Sequence, residues 1–127
     1  MTHDEFVGQV QHRAHLPSRG DAERIIRATL ETLGDRLLPH AAEHLAAQLP
    51  RELAHHLKDR HFEHLSLKRF YERVAEREGS DVEKAAFHVR CVFDILRLAV
   101  SAGAMQKLRL QLPEEFLPLF DTPKEQP

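Results

Sequence analysis

Histidine is the residue of this sequence best suited to chemistry, and its distribution is uneven. Nine of the ten histidines lie within the first 64 residues. Neutral imidazole is a good ligand for zinc, copper and nickel, and two histidines four residues apart share one face of a helix. That spacing joins His40 to His44, while His61 and His64 could share a helical face or a turn. The sequence therefore offers these four histidines as candidate metal ligands.

The segment His40-Ala41-Ala42-Glu43-His44 also matches a metalloprotease motif. In that class two histidines hold zinc and the adjacent glutamate acts as the base. The context disfavours a protease, because Pro39 begins the segment and the sequence identifies no third ligand. An exposed helix face, an adventitious surface metal and a functional metal site stay open as interpretations. We assign no catalytic residue and expect no cofactor.

Two other chemical features have simpler interpretations. A reactive thiol needs exposure and a nearby positive charge, but the lone Cys91 belongs to an apolar row and we expect it to be buried. Basic residues between Lys68 and Arg77 alternate with Glu72, Glu76 and Glu78, which is typical of a solvated helix face. The net charge is −2, from 18 basic and 20 acidic residues. Nucleic-acid binding is therefore not expected.

One predicted helix is apolar on two faces. Its first row consists of Val89, Val92, Phe93, Leu96 and Val100, and its second row consists of Phe87, Cys91, Ile95 and Leu98. A helix that is apolar on two faces must be covered. The cover is the first half of the chain, a second copy of the chain, or a ligand. We expect the second row to be buried, and it is the candidate interface.

The chain contains an internal repeat that organises these features. Gln48-Leu49-Pro50 returns as Gln111-Leu112-Pro113 after a shift of 63 residues, and the apolar series of the two halves matches at that shift. The sequence predicts two pseudo-repeats of about four helices each, over residues 4–57 and 66–120. The positions aligned with the second row are polar or small: Arg24, Ala28, Thr32 and Asp35.

Capping patterns predict where the helices begin. Thr2 with Glu5 forms a capping-box pattern, and Ser18 and Ser66 are N-cap residues of two further helices. Ser80 with Glu83 predicts the start of the long helix, which we expect to run to about Ala102 and to end at Gly103. Prolines at 39, 50 and 113 suit the first turns of short helices.

Each half carries the motif F-x-x-x-V-x-x-R, at Phe6, Val10 and Arg13 and again at Phe70, Val74 and Arg77. The first half also has an amphipathic helix that carries Leu30-Glu31-Thr32-Leu33, and each half has a QLP-x-E element. With these motifs the chain resembles the DUF2267 family of small bacterial proteins. It covers residues 4–120. It implies a helical fold built from a duplicated unit, and it brings no catalytic residues, since the function of that family is unknown.

These features together predict a compact, soluble, all-α domain of about eight helices over residues 1–127, with a frayed tail at 121–127. No apolar run approaches the ~20 residues that span a membrane, and a lone cysteine suits a reducing compartment, so we expect a cytoplasmic protein. We interpret it as a non-enzymatic module that binds an unidentified protein or a second copy of itself. The alternative is a metal-binding protein or metal-dependent enzyme that uses the first-half histidines.

Overall fold

A computed structural model describes residues 1–121, and the remainder of the predicted tail lies outside the described residues. This part of the chain is all-helical and has no strand. The seven α-helices are α1 (His3–Arg13), α2 (Arg19–Arg36), α3 (Pro39–Ala46), α4 (Arg51–Ala54), α5 (Leu67–Glu78), α6 (Val82–Ala99) and α7 (Ala102–Leu110). A first 3₁₀ helix (His55–Leu57) continues α4 directly, and a second 3₁₀ helix spans Glu114–Leu119. The predicted all-α class and about eight helical segments are confirmed.

Side-chain caps explain most of the helix starts. The Thr2 hydroxyl accepts a hydrogen bond from the Glu5 N–H at 3.1 Å, and the Glu5 carboxylate accepts from the Thr2 N–H at 2.9 Å. This reciprocal pair is the predicted capping box. Ser18 and Ser66 cap α2 and α5 through the amides of Asp21 and Arg69.

Two predicted boundaries of the long helix are wrong. Its N-cap is Asp81, whose carboxylate accepts from the Lys84 N–H at 2.8 Å, and not Ser80. The helix ends at Ala99, because Val100 adopts an extended conformation. Ser101 then caps α7, so Gly103 lies inside that helix instead of ending the chain's previous one.

The order and the bounds of the helices recur between the two halves. Helix α2 maps onto α6 and α3 onto α7 at the shift of 63, and α1 maps onto α5 at a shift of 64. The contacts between helices match this mapping: α1 and α5 each contact both long helices, α2 contacts α6, and α3 contacts α7. These facts support the pseudo-repeat, which stays a prediction until the halves are superposed.

One buried cluster joins both halves. It includes the six core residues expected from the repeat, each no more than 1 % exposed: Ile26, Leu30, Leu33, Val89, Phe93 and Leu96. The connection between the halves, residues 58–66, is tied to the end of α2, where the Glu63 N–H donates to the Asp35 carbonyl at 2.8 Å. The Arg36 side chain donates to the Leu65 carbonyl, also at 2.8 Å.

Within residues 1–121, none of the helices has the length and apolar character that crossing a membrane requires.

Candidate functional site

The arginine of each F-x-x-x-V-x-x-R motif reaches the long helix of the opposite half. Arg13 of α1 donates to the Asp94 carboxylate of α6 at 2.8 Å. Arg77 of α5 donates to the Thr32 hydroxyl at 2.9 Å and lies 2.8 Å from the Asp35 carboxylate, both on α2. Each half therefore contributes one motif arginine that binds the long helix of the other half.

Asp35 is the centre of the larger of these ionic clusters. Its side chain is 5 % exposed, and it lies within hydrogen-bonding distance of Arg60 at 2.8 Å, Arg77 at 2.8 Å and Arg73 at 3.4 Å. Burial raises the pKa of this carboxyl, but hydrogen bonds from Arg60 and Arg77 outweigh it, so the pKa lies below its usual value. The cluster is structural, since it joins α2, α5 and the connection between halves.

A cleft of about 660 Å³ opens beside the motif arginine Arg13. We call it the aromatic cleft. Its apolar or aromatic lining residues are Tyr71, Ala86, Phe87, Cys91, Pro118 and Leu119, and its charged lining residues are Arg13, Glu83, Arg90, Asp94 and Asp121. Phe87 is 47 % exposed. Tyr71 is partly buried, which raises the pKa of its phenol.

A second cleft of about 770 Å³ occupies the corresponding place in the first half. We call it the charged cleft, because Arg24, Arg27, Glu31, His55 and His56 line it. These residues align with Phe87, Arg90, Asp94, Pro118 and Leu119 of the aromatic cleft. The two halves therefore present equivalent clefts with different chemistry. Burial, with His55 as a smaller cause, lowers the pKa of His56 to about 4.

The candidate interface row divides into two pairs. Cys91 and Ile95 are 2 % and 3 % exposed, so the chain itself covers them. Phe87 and Leu98 are 47 % and 64 % exposed, so the first half of this chain does not cover them, and a second copy or a ligand stays open as their cover. Asp94 and Arg97 pair at 2.6 Å on the same helix between these two side chains. Burial raises the pKa of the Cys91 thiol to about 11, which is unfavourable for a reactive thiolate.

Two of the four candidate metal ligands are neighbours. The rings of His40 and His44 lie 4.6 Å apart between centroids, and both line a groove of about 460 Å³ between α3 and α7. His61 and His64 lie in the connection instead, where His64 packs against Phe62 at 4.6 Å. Within residues 1–121 there is no group of three His, Cys, Asp or Glu side chains that could hold a metal.

Sequence reasoning missed one buried polar cluster. We expected Glu78 to be solvated, but it is 5 % exposed. Its Oε2 accepts from the Ser80 hydroxyl at 2.6 Å and lies 2.5 Å from His88 Nδ1, while its Oε1 has no hydrogen-bond partner among the described residues. The only sequence signal is the following Gly79, whose left-handed φ of 74° turns the chain back over the helix end.

Comparison with known proteins gives one match to a family and none to a curated protein. The family model, described as an uncharacterized conserved protein (DUF2267), matches residues 3–119. The match includes both F-x-x-x-V-x-x-R motifs, whose arginines connect the two halves, and both QLP-x-E elements. The predicted resemblance is confirmed, and the chain belongs to the DUF2267 family.

Proposed function

We propose that this protein is a non-enzymatic helical module that binds another protein through the aromatic cleft. The observation that carries the proposal is the exposure of Phe87, which lines the aromatic cleft together with Tyr71. Aromatic residues and arginine are enriched at the centres of protein interfaces, and Arg13 and Arg90 line the same cleft.

The equivalent cleft in the first half strengthens this interpretation. Arg24 occupies the position of Phe87 there and is exposed. The duplicated fold therefore does not need an aromatic side chain at this place. Phe87 lies with other apolar residues that line the same cleft, and a grouped apolar surface of this kind favours a role in recognition.

The partner is another protein or a second copy of the chain, and we place the interaction in the bacterial cytoplasm. A lone, buried cysteine without a disulfide partner suits a reducing compartment. Among the described residues, the absence of a three-ligand metal group and the raised pKa of the Cys91 thiol make binding a better-supported proposal than metal-dependent or thiol catalysis.

The test is Phe87→Asp, with Val82→Asp as the matched control. Val82 lies on the same helix and is 41 % exposed, but it does not line the cleft. The free energy of unfolding of Val82→Asp should lie within about 0.5 kcal/mol of the wild type, because the position is exposed. Phe87→Asp loses the buried half of a phenylalanine ring and should cost about 1 kcal/mol, so both variants should fold. A protein recovered with tagged wild type and with Val82→Asp should be lost with Phe87→Asp.

The recovered protein is then purified and titrated against the wild type and both variants. We expect Phe87→Asp to weaken the affinity at least about 30-fold, as loss of a central aromatic anchor does. Light scattering of the free protein identifies self-association. Two results together would contradict the proposal: the free protein is a monomer, and every recovered partner binds Phe87→Asp as tightly as it binds the wild type.

A further inference from the structure

The groove between α3 and α7 is built from repeat-equivalent positions on its two walls. Ala41 aligns with Ala104, Leu45 with Leu108, His44 with Lys107 and Gln48 with Gln111, and all eight residues line the groove. The Ser101 N–H donates to the Gln48 carboxamide oxygen at 3.1 Å, which places the end of α3 beside the start of α7.

The charge of this groove differs from that of the other clefts. None of its lining residues is a carboxylate, although the chain has 20 acidic residues in 127. The aromatic cleft, the charged cleft and a cleft beside Arg60 each contain at least two carboxylates. Glu43, the acidic residue of α3, lines the cleft beside Arg60 and not this groove.

Nitrogen donors come from both walls. His40 and His44 of α3 have ring centroids 4.6 Å apart, and the Lys107 ammonium belongs to α7. A cation held between the two imidazoles would be repelled by Lys107 and would find no carboxylate in the groove to complete its ligands. An anion would be attracted by Lys107 and could accept hydrogen bonds from the imidazole N–H groups.

The remaining surface of the groove is apolar. Leu45 and Leu108 are buried, Ala41 and Ala104 are partly buried, and Leu110 at one end is 74 % exposed. A volume of about 460 Å³ is within the usual range for small-molecule sites, which combine apolar walls with a few polar groups. The arrangement fits a molecule with an anionic group and a short aliphatic body.

We propose that the α3–α7 groove binds a small amphiphilic carboxylate. Lys107 and the His40–His44 pair bind the carboxylate, and Ala41, Leu45, Ala104 and Leu108 contact the aliphatic chain. This site is separate from the aromatic cleft and does not depend on the function proposed for it. It also assigns an anion to the two histidines that the sequence offered as ligands of a metal cation.

The test uses the whole protein and two probes with the same tail and opposite charge. Octanoate and octylammonium are titrated separately at pH 7, and amide shifts are followed by ¹H–¹⁵N NMR. Octanoate should shift amides of α3 and α7, including those of Ala104 and Leu108, and bind at least about fivefold more tightly than octylammonium. Lys107→Glu should weaken octanoate about fivefold, while the control Lys84→Glu, exposed on α6, should leave it unchanged.

Two outcomes would overturn the proposal. One is equal affinity for both probes, or octanoate-induced amide shifts that lie outside α3 and α7 and are the same in Lys107→Glu as in the wild type. The other is a titration with Zn²⁺ alone in which the amide shifts of His40 and His44 saturate at one equivalent, because this result would assign the groove to a cation. Both Lys107 and Lys84 are exposed, so the variants should keep the wild-type amide spectrum elsewhere.

Discussion

At the scale of single residues, Asp35 carries the most concentrated set of polar contacts. Three arginines share its carboxylate, from the connection and from two positions of α5. The arginine side chains are 19–26 % exposed, so water moderates their charges, while the carboxylate itself is almost fully buried. The stabilising contribution therefore comes from charge-assisted hydrogen bonds that hold α5 and the connection against α2.

We predict that Asp35→Asn lowers the free energy of unfolding by about 1–3 kcal/mol at pH 7. The lowered pKa of Asp35 means that its contribution is complete above about pH 4 and is lost as the pH falls through the folded-state pKa. The difference between variant and wild type should therefore shrink at pH 2.5. Urea denaturation at both pH values measures it, and an equal difference at both would show that ionisation of Asp35 is not the cause.

His56 gives a second pH dependence of stability, which comes from the lowered pKa of a histidine instead of an aspartate. In the unfolded chain it binds a proton near pH 6.5, but in the folded protein its pKa is about 4. Stability should therefore fall as the pH drops from about 6.5 to 4. His56→Gln should flatten this slope, and the exposed His55→Gln should retain it. Equal slopes in the two variants would remove His56 as the source.

At the scale of elements, Gly34 allows the connection to approach α2 closely. A Cβ at this position would meet the Leu57 carbonyl oxygen at 2.7 Å and Arg60 Cγ at 2.9 Å. The backbone carbonyl cannot move aside without shifting the first 3₁₀ helix. In contrast, a Cβ at Gly8 in α1 would meet nothing within 4 Å outside its own helix and neighbours.

We therefore predict that replacing glycine by alanine changes the stability in opposite directions at these two positions. Gly34→Ala should destabilise by about 1–3 kcal/mol because of overpacking, and Gly8→Ala should stabilise by about 0.5–1 kcal/mol through helix propensity. Thermal unfolding of both variants checks this. Stabilisation by Gly34→Ala would mean that the connection adjusts at little cost.

The sequence predicted where the helices lie better than it predicted which of their side chains are exposed. Caps and periodicity located α1, α2 and α5, because Thr2, Ser18 and Ser66 bond to amides three residues away. Periodicity could not distinguish Ile95 from Phe87, since the two differ in whether the rest of the folded chain covers them. Local charge alternation also misplaced Glu78, whose burial depends on Ser80 and His88 after the turn at Gly79.

At the scale of the whole molecule, the two halves have the same order of helices but present clefts of different chemistry. We predict that residues 4–57 superpose on residues 66–120 with the same helix order and crossing angles. The reciprocal contacts of α1 and α5 with both long helices support this. Superposition of an experimental structure tests it, and different crossing angles in the two halves would contradict the repeat.

The central claim is that Phe87 lies at the centre of an interface. The most direct measurement places a photoreactive benzoylphenylalanine at position 87 in living cells, with the same residue at the exposed Gln106 of α7 as the control. The account predicts one discrete cross-linked partner at position 87, which an excess of wild-type protein abolishes and an excess of Phe87→Asp does not. Absence of a product at position 87, or the same products at both positions, would contradict it.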